Sequence, residues 1–331
     1  MGTAILLLAS FAVILAGALL FTNAVEWAGQ RLALGQGAVG SLLAAVGTAM
    51  PETLIPVVAV LEGESGAHDV AIGAIVGAPF LLATVAMMLV GLSAFGYRRR
   101  RPQGLRLAAH APTLERDLLV FLCFFGLATV LGLGTPEGVR VVLAAAFVSG
   151  YLVYVRSTLR AGGEVEAPEA IGPLILARDP GQEPTGRTIA IQLLVGLGAM
   201  LGGAHLFVQE VIEAAESIGV EALVLSLVLA PLATELPEKA NSFFWVREGK
   251  DSLALGNITG AMVFQSTMPV AFGLAFTSWN LDDFAIVSAV LGLAGGALAY
   301  WALRLLGRFN LAAILGWGAL YGVFPLYVLL S

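Results

Sequence analysis

Apolar runs of about twenty residues recur along the whole 331-residue chain, and they limit the possible folds more than any other feature. A helix needs roughly 17–25 mainly apolar residues to cross the ~30 Å hydrocarbon core of a bilayer. Charged or turn-rich breaks separate ten such runs, at 4–22, 38–61, 69–91, 117–134, 138–155, 188–208, 220–246, 252–276, 284–305 and 309–330. Because only 12% of the residues are charged, we predict an all-α membrane protein with ten transmembrane helices.

Lys and Arg are unevenly distributed between alternate loops. One set of loops holds most of the basic residues, including the run at 98–101. The opposite set holds Arg140 and mainly acidic residues: Glu62, Glu64, Asp69, Glu137, Glu213, Glu216, Glu221, Asp282 and Asp283. Basic loops are typically cytoplasmic, so both termini are expected outside, and the compact chain favours a prokaryotic plasma (inner) membrane. The Arg run adjoins a span, which favours anionic lipid over nucleic acid as its partner.

The two halves of the sequence are similar at a fixed offset. An offset of 186 pairs Thr48 with Thr234 and Glu52 with Glu238. The same offset aligns LAGALLF at 15–21 with LGGAHLF at 201–207, and an offset of 183 aligns GAIVGA at 73–78 with GNITGA at 256–261. The halves are therefore interpreted as a duplication.

Each half contains five predicted spans, so the second copy enters the membrane from the opposite side. This predicts two five-helix inverted repeats, 1–155 and 188–331, joined by a cytoplasmic linker at 156–187 rich in Gly, Pro and charge. Prolines 51, 56, 231 and 237 lie inside the second and seventh runs, so helices 2 and 7 are expected to be interrupted. Paired interrupted helices in inverted repeats are typical of secondary transporters, with the site at the membrane midplane.

Charged residues inside the apolar runs need compensation. Glu52, Glu235, Glu238 and Lys239 fall near span centres. At about 2.5–3.5 kcal/mol each they represent on the order of 10 kcal/mol if unpaired. Glu235 and Lys239 are four residues apart and can form an internal ion pair. A bound cation is the other available compensation.

Two segments carry a resemblance to a known family. AVGTAMPETLIPVVAVLEG at 45–63 with DVAIGAIVGAPF at 69–80, and LATELPEKANSFFWVREGKDSLALGNITGAMVF at 232–264, resemble the paired signature repeats of the calcium/cation antiporter superfamily. The likeness is strongest to its sodium/calcium exchanger branch, whose motif reads GTSLPE and then GN-x-x-GSN-x-x-N/D. The matching regions are 44–82 and 230–265, and the five-plus-five plan extends the resemblance over essentially the whole chain.

The resemblance implies a secondary active cation antiporter, not an enzyme. It would move Ca²⁺ or Na⁺ against Na⁺ or H⁺ by alternating access, with no cofactor beyond the transported cation. Glu52 and Glu238 would be the paired metal-binding carboxylates, with Thr48 and Thr234 supplying oxygens. Further candidate ligands are Glu235, Gln265 and Asn257.

The chain departs from the family motif at several positions, which keeps alternatives open. Ala49 and Glu235 stand where the motif has serine, and Leu82 replaces a polar residue. Lys239 and His205 are candidate modulators: Lys239 as a tethered cation or a structural partner of Glu235, His205 as a proton carrier or a packing residue. Proton-coupled exchange and a non-transporting sensor or partner subunit stay as alternative functions. The oligomeric state is left open.

Overall fold

The computed structural model describes residues 2–31, 38–63, 66–101, 104, 106, 111–160, 172–177 and 183–331, without the side chains of 38–48, 111, 236–238, 240, 241, 305 and 306. The described chain is all-α. Its helices are α1 Gly2–Arg31, α2 Ala38–Glu62, α3 Ala67–Leu81, α4 Met87–Gly96, α5 Ala111–Leu131, α6 Glu137–Arg160, α7 Gly186–Ile218, α8 Ala222–Arg247, α9 Asp251–Gln265, α10 Met268–Phe276, α11 Asp283–Trp301 and α12 Leu311–Leu330.

Seven helical segments in the described part of the chain are long and apolar enough to cross a membrane: Gly2–Arg31, Ala67–Gly96, Glu137–Arg160, Gly186–Ile218, Asp251–Phe276, Asp283–Arg304 and Leu311–Leu330. Many large apolar side chains on these segments point outward, among them Leu19, Val141 and Leu194. An outward apolar surface on long helices suits contact with lipid. The finer prediction of ten spans stays a prediction.

The expected interruption of helices 2 and 7 is wrong. Both α2 and α8 run through their two prolines as continuous helices. Each proline removes one backbone donor, and the helix continues on both sides of it. A proline in a membrane helix therefore marks a distorted turn more reliably than a break.

The helical irregularities lie elsewhere. A π-helical turn at Leu82–Ala86 joins α3 to α4, and another at Ala302–Leu306 follows α11. Residues 266–267 form a turn between α9 and α10. Threonine hydroxyls satisfy backbone carbonyls at two of these places, since Thr84 Oγ1 donates to Phe80 O at 2.6 Å and Thr267 Oγ1 donates to Val263 O at 2.7 Å.

Helices α1 and α7 cross at glycine. A Cβ atom on Gly17 would lie 2.8 Å from the carbonyl oxygen of Gly196, and one on Gly203 would lie 3.2 Å from that of Ser10. The helices run antiparallel, because residue 10 meets 203 whereas residue 17 meets 196. The two contacts are also related by the sequence offset, since 17 plus 186 is 203 and 10 plus 186 is 196.

Acidic residues that begin helices gather at one end of the bundle, and arginine contacts gather at the other. At one end Glu221, which caps α8, hydrogen-bonds Asp282, the cap of α11, and lies near Asp69 in the first turn of α3. At the other end lie several arginine contacts: Arg101 with Asp251, Arg116 with Asp117, Arg304 with Glu115, and a backbone bridge between Arg106 and Arg308.

Part of the predicted linker is attached to both α1 and α7. Trp27 Nε1 donates to Gly172 O at 3.0 Å, and Asn23 Oδ1 accepts from Ile175 N at 3.1 Å. Gln192 of α7 is buried; its Oε1 accepts from Leu176 N at 2.7 Å and its Nε2 donates to Asn23 Oδ1 at 2.8 Å. Residues 172–177 therefore tie the two helices together.

Candidate functional site

A small cavity lies where α2, α3 and α8 meet. Its volume is about 10 Å³, enough for roughly one water-sized sphere. The lining residues are Glu52, Ile55, Ala74, Ala78, Ala230, Pro231 and Thr234. Two predicted site residues from different halves of the sequence, Glu52 and Thr234, therefore share one buried space.

The polar groups of the cavity suit a cation. The Glu52 side chain is 8% exposed and that of Thr234 is 3% exposed. Thr234 Oγ1 donates its hydrogen to Ala230 O at 3.1 Å, which leaves the lone pairs of the hydroxyl oxygen available as acceptors. Carboxylate and hydroxyl oxygens are the ligands that hard cations such as Na⁺ and Ca²⁺ prefer. The side chains of Thr48 and Glu238 lie outside the described residues.

Glycines let α3 approach α8 very closely beside the cavity. A Cβ atom on Gly73 would lie 2.5 Å from Leu223 O, and one on Gly77 would lie 2.2 Å from Leu227 O. Leu227 is four residues before Pro231, so its carbonyl loses the helical donor that residue 231 would otherwise supply. Gly73 and Gly77 therefore allow the close approach of α3 to α8, whereas a Cβ atom on Gly256 or Gly260 would meet no described atom within 4 Å. The α3 backbone thus packs against the turn of α8 that precedes Pro231.

A second polar cluster, formed by Glu235, Lys239 and Gln265, lies between α8 and α9. Lys239 Nζ is 3.5 Å from Glu235 Oε2, and Gln265 Nε2 donates to Glu235 Oε1 at 2.8 Å. Glu235 and Lys239 are each 1% exposed. The predicted internal ion pair is therefore present. None of the three residues lines the cavity of Glu52 and Thr234.

The structure places two other candidate residues away from this cavity. Asn257 Nδ2 donates to Ser242 Oγ at 3.3 Å and links α9 to α8. His205 Nδ1 contacts a carboxylate oxygen of Glu62, at the end of α2. Glu62 is ten residues beyond Glu52, roughly 15 Å along a helix. Glu62 had no predicted contact, and no local sequence signal links it to His205.

Sequence reasoning also missed a buried carboxylate on α5. Asp117 Oδ1 accepts from Tyr154 at 3.0 Å, and Asp117 Oδ2 accepts from Thr259 of α9 at 3.1 Å. Arg116 Nη2 lies 3.0 Å from Oδ1. This network connects α5 and α6 to the helix that carries Gln265. The only sequence signal for Asp117 was its position at the start of an apolar run. Acidic residues are also common there because span ends lie at the membrane–water interface.

Among the residues that the structure describes, no group of three or more His, Cys, Asp or Glu side chains has the arrangement of a metal site. The Glu238 side chain lies outside the described residues, so the pairing of Glu52 with Glu238 stays a prediction. Among the residues that line the cavity, Glu52 carries the carboxylate.

The family model for the sodium/calcium exchanger protein matches residues 2–159 and 188–330. A putative antiporter, CaxA of Alkalimonas amylolytica, is 24% identical over 281 residues, covering 82% of each chain. The fold resembles a crystal structure of the H⁺/Ca²⁺ exchanger CAX, with TM-score 0.69, 22% identity and coverage of 99% of this chain and 82% of that chain.

The sodium–calcium exchanger NCX_Mj has a similar fold, with TM-score 0.56, 21% identity and coverage of 97% of both chains. At such identities the likeness to solved structures concerns the fold. The family model, in contrast, covers both halves of the sequence and leaves out only the linker region and the chain ends. The chain belongs to the sodium/calcium exchanger protein family.

Proposed function

We propose that the protein is a secondary active cation antiporter that exchanges Ca²⁺ or Na⁺ against Na⁺ or H⁺ by alternating access. It is a membrane transporter and not an enzyme. Membership of the exchanger family supports the transport class. The observation that carries the proposal is the cavity in which Glu52 and Thr234, from different halves of the chain, lie together.

Each site residue has a defined role in this proposal. Glu52, with Glu238 as its repeat-related partner, supplies negative charge to a bound cation. Thr234 and Thr48 supply oxygen ligands, and the lone pairs left by the Thr234 hydrogen bond support that role. Ala74 and Ala78 contribute no oxygen from their side chains to the cavity wall. Calcium usually takes six to eight oxygens, so backbone carbonyls or water must complete a calcium shell.

We further infer ten spans arranged as two five-helix inverted repeats, 1–155 and 188–331, with 156–187 as the linker. The antiparallel crossing of α1 and α7 supports inversion, because these are the first helices of the two halves. The glycine contacts related by the 186-residue offset support a two-fold relation between the halves. In such transporters the two copies move relative to each other around a central site.

The orientation follows from charge. The end of the bundle with Asp69, Glu221 and Asp282 is proposed to face outward, and the end with Arg101 and Arg304 to face the cytoplasm. Both termini then lie outside a prokaryotic inner membrane.

Transport in proteoliposomes tests the proposal. Uptake of labelled Ca²⁺ or Na⁺ is driven either by a Na⁺ gradient or by a pH gradient, so the two arms identify the coupling ion. Glu52→Gln is expected to reduce uptake by at least tenfold, because one tenfold step is about 1.4 kcal/mol and a lost charged ligand costs more. Glu210→Gln is the matched control, since Glu210 is a buried carboxyl on α7 outside the cavity. Equal uptake by both variants would refute the role of Glu52.

A further inference from the structure

Lys239 places a positive charge in the interior of the bundle beside the candidate site. Its side chain is 1% exposed, and its Nζ lies 3.5 Å from Glu235 Oε2. The other carboxylate oxygen of Glu235 accepts a hydrogen bond from Gln265. Glu235 directly follows Thr234, which lines the cavity with Glu52. The ion pair is therefore adjacent to the cavity but on the face of α8 that meets α9.

A buried carboxylate requires a positive partner, because transfer of an isolated charge from water into the bundle costs several kcal/mol. The Lys239 ammonium supplies that partner at Glu235. An inorganic cation can bind the same oxygens only by displacing the ammonium, which is tethered to the same helix one turn away. Within the pair the two charges cancel, so Glu235 adds no net negative charge to the described part of the site.

We propose that the Lys239 ammonium is a built-in cation that fills a monovalent-cation subsite at Glu235 and Gln265, and thereby excludes inorganic ions from that subsite. Lys239 is then a residue that determines specificity. The effect of Lys239 on transport rests on the proposed antiporter function. Occupancy of the subsite by the ammonium does not depend on that function. Without the ammonium, Glu235 supplies one carboxylate, and Gln265 can rotate its amide to present the carbonyl oxygen. Among the described side chains this is one negative charge and fewer oxygens than the six to eight that Ca²⁺ usually takes, so the subsite suits a monovalent ion such as Na⁺ or K⁺.

Cation-dependent stability of the purified full-length protein tests the proposal. Melting temperatures in detergent are compared in NaCl, KCl and N-methyl-D-glucamine chloride at matched ionic strength. Lys239→Met removes the charge and keeps most of the apolar stem. This variant is expected to gain a Na⁺- or K⁺-specific rise on the order of 5 °C, beyond any rise in the unsubstituted protein, when the cation is about a hundredfold above its Kd.

The double variant Glu235→Gln with Lys239→Met is the matched control, because it removes both charges. It is expected to fold and to lack the added cation response. Three outcomes overturn the proposal: no added response in Lys239→Met, the same added response in the double variant, or a Lys239→Met protein that is unfolded in all three salts while the double variant folds.

The test is independent of the transport assay. If the unsubstituted protein transports no cation but Lys239→Met gains the Na⁺ or K⁺ response, the antiporter function fails and the subsite stands. If transport depends on Glu52 but the response is missing, only the subsite fails. In active proteoliposomes, Lys239→Met is also expected to need an additional monovalent cation per cycle, seen as a steeper dependence of uptake on Na⁺ or K⁺ concentration.

Discussion

Substituting Gly77 with alanine tests the close packing of α3 on α8 that shapes the cavity. The new Cβ would lie 2.2 Å from Leu227 O and 2.9 Å from Pro231 Cγ. Carbon–oxygen contacts below 3.0 Å are essentially never seen, so the helices must separate by nearly 1 Å. Such overpacking typically costs about 1–3 kcal/mol. The better helix propensity of alanine offsets roughly 0.5–1 kcal/mol of this, which leaves a net loss of about 1 kcal/mol from the middle of both ranges.

Thermal unfolding in detergent measures this loss. We expect Gly77→Ala to lower the melting temperature on the order of 2–5 °C. The control is Gly198→Ala on α7, where no described atom lies within 4 Å of an added Cβ. That variant is expected to be as stable as the unsubstituted protein or slightly more stable, because only the helix-propensity gain applies.

The same substitution reaches the cavity, since Pro231 belongs to its wall. Separation of α3 from α8 enlarges the space beside Glu52, so a bound cation is expected to stabilise Gly77→Ala less than it stabilises the control. A Gly77→Ala protein that melts with the control and responds equally to cations would refute the close approach and its link to the site.

Three further predictions concern the ends of the bundle. Asp251→Asn leaves the buried Arg101 guanidinium without its carboxylate, which lies 2.6 Å from Nη2, and is expected to cost about 3–5 kcal/mol in unfolding free energy. Desolvation, the hydrogen bond with Asp282 and nearby negative charge raise the pKa of Glu221. The folded state then holds the Glu221 proton more tightly, so the contribution of Glu221 to the free energy of unfolding should be largest below the ordinary Glu pKa of about 4.3 and fall as pH rises through the raised value. Gln192→Leu removes hydrogen bonds to the linker and should speed proteolysis within 172–177.

Each of these has a distinguishing control. Glu248→Gln, which removes an exposed partner of Lys250, should change stability far less than Asp251→Asn. Glu221→Gln should reduce the dependence of the melting temperature on pH, and an unchanged dependence would contradict the assignment. Thr188→Ala removes the contact of the Thr188 hydroxyl with Thr185 at the start of the same helix and leaves the hydrogen bonds of residues 172–177 in place, so equal proteolysis of Thr188→Ala and Gln192→Leu would count against the tie.

Helix positions could be predicted from sequence because apolar runs mark the segments inside the hydrocarbon core of the bilayer. Charged breaks mark the segments outside it. The run at 138–155 became Glu137–Arg160, and that at 252–276 became α9 and α10. The first run, 4–22, underestimates α1, which continues to Arg31, because a helix can extend beyond the hydrocarbon core. Sequence could not locate the π-helical turns, since no proline or glycine pair marks residues 82–86 or 302–306.

Part of the geometry of the candidate site could be predicted, whereas the cation-binding role of its residues stays a prediction. The repeat offset singled out Glu52 and Thr234, and the structure brings them to one cavity. Because Glu235 directly follows Thr234 in the sequence motif, the two residues were expected to bind the same ion. Successive helix residues point about 100° apart, so Glu235 faces Gln265 instead. The contact of His205 with Glu62 joins residues 143 apart in sequence and has no local pattern.

The glycine crossing of α1 and α7 bears on ancestry. Gly17 of α1 contacts the backbone of residue 196 in α7, and Gly203 of α7 contacts the backbone of residue 10 in α1. The two contacts therefore use equivalent positions of the two helices. In a homodimer of a single half-length chain, one codon would serve both contacts. Fusion of two copies frees the codons to diverge, yet both still encode glycine. Either contact can be relaxed only if the opposite helix moves, so the two glycine positions constrain each other in the single chain.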